Sequence, residues 1–346
     1  MPWFAAMKAL YNLRHGGLDV LQVRESPDPT PGPGEVRIRV SRAGLNFADI
    51  SARVGLYPDA PKPPMVMGYE VAGTVDQLGD GVTGLAVGTR VLGFTPFKGQ
   101  ASHVVVKANQ AIPLPEKMTL DHAAALPVNY LTAFHMMHYV GNLQPGDSVL
   151  IHMAAGGVGM AAIQLARRIP DVTIFGTASA KKHATLREAG VQHPIDYRSV
   201  DYAAEVMRIT NGRGVRMVLD PLGGADWEKG YGLLQPTGHL ICFGFSNAVT
   251  GTKRNLLKVI PQLLRVKKYS PMALMDKNRS VSGVNLGHLW SEEALLAREM
   301  KELFRLYEEG VIRPNVDKVF PLEKAAEAHQ YVQDGKNVGK VLFDCT

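Results

Sequence analysis

Cysteine is nearly absent: the chain of 346 residues has two, Cys242 and Cys345. That density excludes a disulfide framework and any four-cysteine zinc site. Both thiols sit in apolar stretches near the ends of predicted strands and are expected to be inert core residues. Long apolar runs are missing too, none approaching the roughly 20 residues that cross a bilayer. The segment Met1 to Leu10 has one lysine and no apolar stretch ending in a cleavage site. This argues against a secretory signal and makes the cytosol the expected compartment, a cytoplasmic protein. Acidic residues are the minority charge, 32 against 38 lysines and arginines, giving a formal charge of +6. Such an excess suits nucleic acid, an anionic membrane surface or a polyanionic cofactor. No zinc-finger, RNA-recognition or basic-helix pattern accompanies it, so no nucleic-acid partner is expected.

What is present is the balance of a soluble globular protein, 46% hydrophobic and 20% charged, long enough for two domains. The first third reads as β-rich. Glu35-Val36-Arg37-Ile38-Arg39-Val40 alternates strictly, placing valine and isoleucine on one face, and Pro31 to Gly34 before it is turn chemistry. Val71 to Val75, Arg90 to Gly93 and Ser102 to Val106 are further short strands, predicting a mostly antiparallel domain. Near Thr119 the character changes. Asp121 to Leu126 and Leu131 to Tyr139 read as helices separated by Pro127. Strands at Ser148 to His152, Val172 to Phe175, Ile195, Met217 to Leu219 and His239 to Cys242 then alternate with helices at Gly159 to Arg168, Lys181 to Glu188 and Tyr202 to Ile209. This βαβα rhythm predicts a parallel, doubly wound sheet. The tail has no place in it: a charged amphipathic helix from Glu292 to Glu309, a strand at Val316 to Phe320, a helix from Glu323 to Gln333 and a strand at Gly339 to Phe343. The expected α/β architecture is therefore a Rossmann sheet, residues 128–288, inserted into a catalytic domain formed by 1–127 and 289–346.

The sharpest local signal is Val149-Leu150-Ile151-His152-Met153-Ala154-Ala155-Gly156-Gly157-Val158-Gly159, leading into a helix. Strand, glycine-rich turn, helix and second strand form the context of dinucleotide binding. Gly156 and Gly157 would let the backbone approach a pyrophosphate at the helix N-terminus, and Gly159 would allow close helix–strand packing. Ala155 and Val158 complete the predicted turn, and Ala154 stands where the usual fingerprint has its first glycine. About 20 residues on, a carboxylate would bind the ribose hydroxyls of NAD. Here Phe175-Gly176-Thr177-Ala178-Ser179-Ala180-Lys181-Lys182-His183 contains no acid. A serine and two lysines suit the 2′-phosphate of NADPH, the alternative being a solvated helix start.

Ala155 to Gly159 with Gln164-Leu165-Ala166 resembles the quinone oxidoreductase branch of the medium-chain dehydrogenase/reductase superfamily. The likeness runs nearly end to end. Ala43 to Asp49 and Gly55-Leu56-Tyr57-Pro58 resemble that branch's active-site strand and loop, and Gly68 to Gly73 its Gly-x-Glu segment. Within the branch, the vesicle amine transport protein group is most similar, through His193 to Tyr197, Asp220 to Gly224, Lys229-Gly230-Tyr231, Lys253 to Leu256 and Lys336 to Val341. The resemblance implies a GroES-like catalytic domain and a homodimer formed through the sheet edge near Ser282 to Leu286. It implies that Ser179, Lys182 and Tyr197 hold the 2′-phosphate and that Thr132 lies near the nicotinamide carboxamide. Phe243, Gly244 and Phe245 should border the same cleft, Lys340 joins the cofactor-binding set, and Asn46 and Tyr57 line the nicotinamide and substrate. Two positions depart from the pattern: Thr89 replaces the aspartate of Gly-Asp-Arg-Val, and Ser51 stands where some members have a second cleft tyrosine.

Zinc members of the superfamily carry a cysteine where this chain has Asn46 and a histidine where it has Tyr69, so no metal is expected. His135 and His138, three apart on a helix, have no acidic or thiol partner nearby in sequence and read as packing or surface residues. Without a Lewis acid the acceptor must already be activated, as quinones and conjugated enones are. Asn46 could donate to a carbonyl oxygen and Tyr57 could donate a bond or a proton, although asparagine in turns and packed tyrosine also serve structure. Two other readings compete. Lys253, Arg254, Lys258, Arg265, Lys267 and Lys268, interleaved with leucines and interrupted by Pro261, suggest weak peripheral membrane contact, or else a solvated helix or lid. The chain could also bind NADPH without turnover.

Overall fold

The computed structural model describes residues 6–249, 251 and 255–346. Lys253 and Arg254 of the basic segment lie outside the described residues, as does the side chain of Lys258. Contacts divide the chain into two units. One comprises Met1–Val128, Gly251–Arg254 and Arg313–Thr346, the other Asn129–Thr250 and Asn255–Ile312.

The first unit is built on a seven-stranded sheet running Val316–Pro321, Lys340–Asp344, Glu35–Leu45, Glu70–Leu78, Arg90–Phe94 and Ala111–Pro113, with His103–Lys107 also paired to Glu35–Leu45. All its pairings are antiparallel except that of Val316–Pro321 with Lys340–Asp344. The alternation read at Glu35 to Val40 is realised: Val36, Ile38 and Val40 are buried, and Arg37 and Arg39 point the other way. A smaller antiparallel sheet, Leu21–Pro27, Ala6–Asn12 and Met65–Val66, is an element that no alternation in the sequence had marked. The core joins Val36, Ile38, Val71, Val91 and Val104 to Phe320, Val341 and Phe343, so residues from both ends of the chain share it.

The second unit holds six parallel strands in the order His193–Ile195, Thr173–Thr177, Ser148–Ile151, Val215–Asp220, Leu234–Cys242 and Ser280–Gly283. Numbered within the unit this is 3-2-1-4-5-6, the doubly wound order, which reverses between the first and fourth strands. Ligands of such sheets bind beyond the strand ends at that reversal, and the glycine-rich turn follows Ser148–Ile151 there.

Two sequence expectations need correction. The helix Glu293–Glu308, read as part of the catalytic domain, belongs to the second unit, and the chain re-enters the first at Arg313. Its buried stripe, Leu296, Glu299, Met300 and Leu303, is anchored there by a hydrogen bond between His135 Nδ1 and Glu299 Oε1 at 2.9 Å. Pro261 does not interrupt the basic segment; it lies inside the helix Leu256–Leu264. In so short a helix the missing N–H forfeits a single backbone bond.

Candidate functional site

In the second unit the chain leaves Ser148–Ile151 through buried His152, then Met153 in the left-handed region at φ 51°. Gly156 caps the helix Gly157–Ala166. A Cβ on Gly159 would lie 2.4 Å from the Ala154 carbonyl oxygen, so the close approach of the helix to the turn before it, rather than to a strand, requires glycine there. At Gly157 a Cβ would stand 2.4 Å from the Asn129 side chain. The turn is therefore buttressed from a residue that its own motif does not mention. Thr177 is a second support: its hydroxyl lies 3.1 Å from His152 Nδ1 and accepts the Met153 N–H at 3.3 Å. Ala155 is buried and Val158 half-buried beside the unpaired N–H groups of the helix start.

The register of the sheet brings the predicted 2′-phosphate residues to one edge. Thr177 pairs with Ile195, and the Ala178 N–H donates to the Ile195 carbonyl at 3.1 Å. Ser179 and Lys182, just past the first of these strands, thus share a strand-end edge with Tyr197, just past the second. Ser179 and Lys182 are half-buried, while Tyr197 is exposed with the Arg198 guanidinium over its ring at 5.7 Å. The short turn Ala180–Lys182 and the helix His183–Ala189 bring no carboxylate into their first turns. A glycine-rich turn at a helix start and a lysine-bearing strand end with no carboxylate from Phe175 to His183 fit a phosphorylated dinucleotide. Thr132 is buried in the helix Pro127–Phe134. Phe243 is tied by its N–H to the Asp220 carbonyl at 3.0 Å, and Phe245 packs on Trp227 with ring centroids 5.4 Å apart. Gly244 lies between them, where a Cβ would come 3.0 Å from the Pro221 carbonyl oxygen.

The first unit holds the other cluster. Asn46 follows the strand Glu35–Leu45 and caps the helix Phe47–Arg53. Its Nδ2 donates to Glu70 Oε1 at 2.8 Å and its Oδ1 accepts from Lys340 Nζ at 2.6 Å. The Lys340 ammonium also pairs with Glu70. Glu70 Oε2 accepts the Val128 N–H at 2.8 Å, at the start of Pro127–Phe134, where a helix favours negative charge. Gly44 makes room for this carboxylate, since a Cβ there would sit 2.3 Å from Glu70 Oε1. Asp49 accepts from the backbone of Asn46 at 2.8 Å and of Gly68 at 3.1 Å, and burial pushes its carboxyl up to about 7. Tyr57 meets Tyr69 edge-on at 6.0 Å, and Tyr69 leans on Phe97 at 4.7 Å. Ser51 turns its hydroxyl back onto the Phe47 carbonyl at 3.1 Å.

Lys340, expected among the cofactor-binding residues, commits its ammonium to Asn46 and Glu70 instead. That donor set does not fit zinc: an amide, a phenol and a carboxylate already neutralised by an internal cation offer a metal little. His135 is a packing residue as read, yet it does have an acidic partner, Glu299, 164 residues away in sequence.

The fold and the glycine-rich turn define a dehydrogenase-type protein with a nucleotide-binding unit. The alcohol dehydrogenase GroES-like domain family matches residues 32–116, and the family described as zinc-binding dehydrogenase matches residues 189–342. The human synaptic vesicle membrane protein VAT-1 homolog is 46% identical over 330 residues, 95% of this chain and 84% of that protein. The Escherichia coli quinone oxidoreductase complexed with NADPH superposes with a TM-score of 0.85 at 29% identity, covering 97% of this chain and 99% of that one. The CurK enoyl reductase superposes with a TM-score of 0.83 at 29% identity, covering 98% and 99%. The chain belongs to the medium-chain dehydrogenase/reductase superfamily of oxidoreductases, in the family of the VAT-1 homologues.

Proposed function

We propose that the protein is a zinc-independent, NADPH-dependent reductase of quinones or conjugated enones. The observation that carries this reading is the strand end from Phe175 to His183, which bears Ser179 and Lys182 and no carboxylate, with Tyr197 past the neighbouring strand. A carboxylate there would select NADH, whereas an ammonium and a hydroxyl suit a 2′-phosphate. The NADPH bound by the quinone oxidoreductase neighbour supports the same assignment. When bound, the nicotinamide supplies a hydride equivalent to an electron-poor carbon of the acceptor. The chain's own part is orientation and charge stabilisation. The helix start after Gly156 holds the pyrophosphate, and Thr132 steadies the carboxamide. Asn46 offers an amide N–H to the acceptor's carbonyl oxygen, and the Tyr57 hydroxyl donates a bond or a proton.

The test is oxidation of NADPH and NADH, side by side, against ortho-quinones and simple enones. Turnover should favour NADPH, and Lys182→Glu should lose that preference through a weaker NADPH affinity. Equal use of both cofactors by the native protein, unaffected by the substitution, would contradict the assignment.

A second reading has its own observation. Leu257 and Leu264 are 85% and 81% exposed on Leu256–Leu264, Met272 and Met275 are 80% and 78% exposed on Pro271–Lys277, and Arg265, Lys267 and Lys268 lie between the two helices. Bare apolar side chains flanked by cations suit weak contact with an anionic bilayer surface. Among the described residues no helix is long and apolar enough to cross a membrane. Flotation with phosphatidylserine vesicles at low salt should carry the native protein up and leave the Leu257→Glu, Leu264→Glu variant behind; identical behaviour of the two would remove this reading. We also read the edge strand Ser280–Gly283 as the homodimer contact, which a monomeric mass in sedimentation would refute.

A further inference from the structure

We propose that Lys340 is a positioning residue: its ammonium fixes which way the Asn46 amide points, leaving one amide N–H as the donor to an acceptor's carbonyl oxygen. An ammonium has three donors and no acceptor. The Asn46 atom 2.6 Å from Lys340 Nζ must therefore be the carbonyl oxygen. The nitrogen then faces Glu70 Oε1 at 2.8 Å, and a carboxylate can only accept. The flipped amide would set N–H against ammonium and carbonyl against carboxylate, two repulsive contacts in place of two charge-assisted bonds. Orientation is thus imposed by the chemistry of the neighbours.

The frame around the amide is itself fixed. Glu70 is fully buried, its second oxygen is held by the Val128 N–H, and Gly44 gives its carboxylate room. Lys340 is 3% exposed, so water does not readily take its place. The Asn46 backbone N–H is bound by Asp49, which pins the side chain's point of departure. With Oδ1 taken by Lys340 and one Nδ2 proton by Glu70, the second Nδ2 proton is the part of the amide left to a ligand. The adjacent positive charge polarises the amide and makes that proton a better donor. A resident cation thus acts here through a side-chain amide rather than by touching substrate.

This rests on the proposed reductase function for the identity of the acceptor, and the test separates the two. Lys340→Met alone would strand a buried carboxylate, so the informative protein is the Lys340→Met, Glu70→Gln double variant, which removes both charges together. The Asn46 side-chain signals in the 1H–15N spectrum, assigned by their loss in Asn46→Asp, report amide geometry directly. In the native protein one of the two protons should be protected from exchange with water, and in the double variant that exchange should rise at least about tenfold. In turnover, kcat should fall about 100-fold while NADPH affinity, read by fluorescence, stays the same. Unchanged amide signals and exchange would overturn the positioning role whatever the kinetics do. A freed amide with undiminished kcat would overturn the donor role. If the native protein turns over no acceptor, the reductase reading and the donor role fall together, and the spectrum alone decides whether Lys340 orients Asn46.

Discussion

Gly44 illustrates how a single residue sets the terms of the first unit's site. It lies in an ordinary strand, so no unusual backbone angle asks for glycine; the demand comes from the Glu70 carboxyl group, whose atoms would lie 2.3–2.7 Å from an added Cβ. Gly44→Ala should therefore destabilise the protein by about 1–3 kcal/mol, measured as a lower urea midpoint, because neither strand nor buried carboxylate has space to yield. An unchanged midpoint would mean that Glu70 moves aside freely. At this scale the sequence is legible where a motif is local. The turn residues Gly156, Gly157 and Gly159, and Asn46 at its strand end, are readable from their neighbours. Lys340 enters the sequence reading only through the resemblance, and its pairing is hidden, because its partners Asn46 and Glu70 stand 294 and 270 residues away. Asn129 and Thr177, which support the phosphate turn, are hidden for the same reason.

Helices record the difference between pattern and environment. The stretch read as a helix from Glu323 to Gln333 forms one over Ala325–Gln333, yet the sequence does not reveal that His329 is fully buried, with neither ring nitrogen partnered among the described residues. Burial, helped by the Arg53 guanidinium, pushes this imidazole down to about 3. An unfolded histidine takes up a proton near pH 6.5. The folded state declines that proton, so the contribution is intact above pH 6.5 and is lost progressively as pH falls toward 3. His329→Leu should therefore shrink the loss of stability between pH 7 and pH 5 by about 2 kcal/mol, read from urea unfolding at the two pH values. An equal loss in both proteins would show that His329 protonates in place. Pro261 teaches the complementary lesson: a breaker read from sequence stops a helix only where the hydrogen bond it removes matters.

For the whole molecule, the βα rhythm made the parallel sheet legible, and alternation made the antiparallel one so. The boundary between them was harder to read, because Glu293–Glu308 breaks the rhythm while its buried stripe still belongs to the second unit. Amphipathicity says that a helix has a buried face and is silent about which core receives it. Cofactor binding should register on the entire fold by mass action. NADPH at about 100 times its Kd should add about 2.7 kcal/mol to the unfolding free energy and raise Tm, with NADH at the same concentration adding less. Equal shifts from both would remove the 2′-phosphate from the account.

The placement of Lys340–Asp344 between Glu35–Leu45 and Val316–Pro321 also orders events during synthesis. Asn46 and Glu70 leave the ribosome early, and every residue of the second unit is translated before Lys340 follows. Until that strand docks, the Glu70 carboxylate has no ammonium and the Asn46 amide is free to turn either way. The second unit can therefore close on a nascent chain in which Asn46 and Glu70 still wait for their cation, so the two units mature at different stages of synthesis.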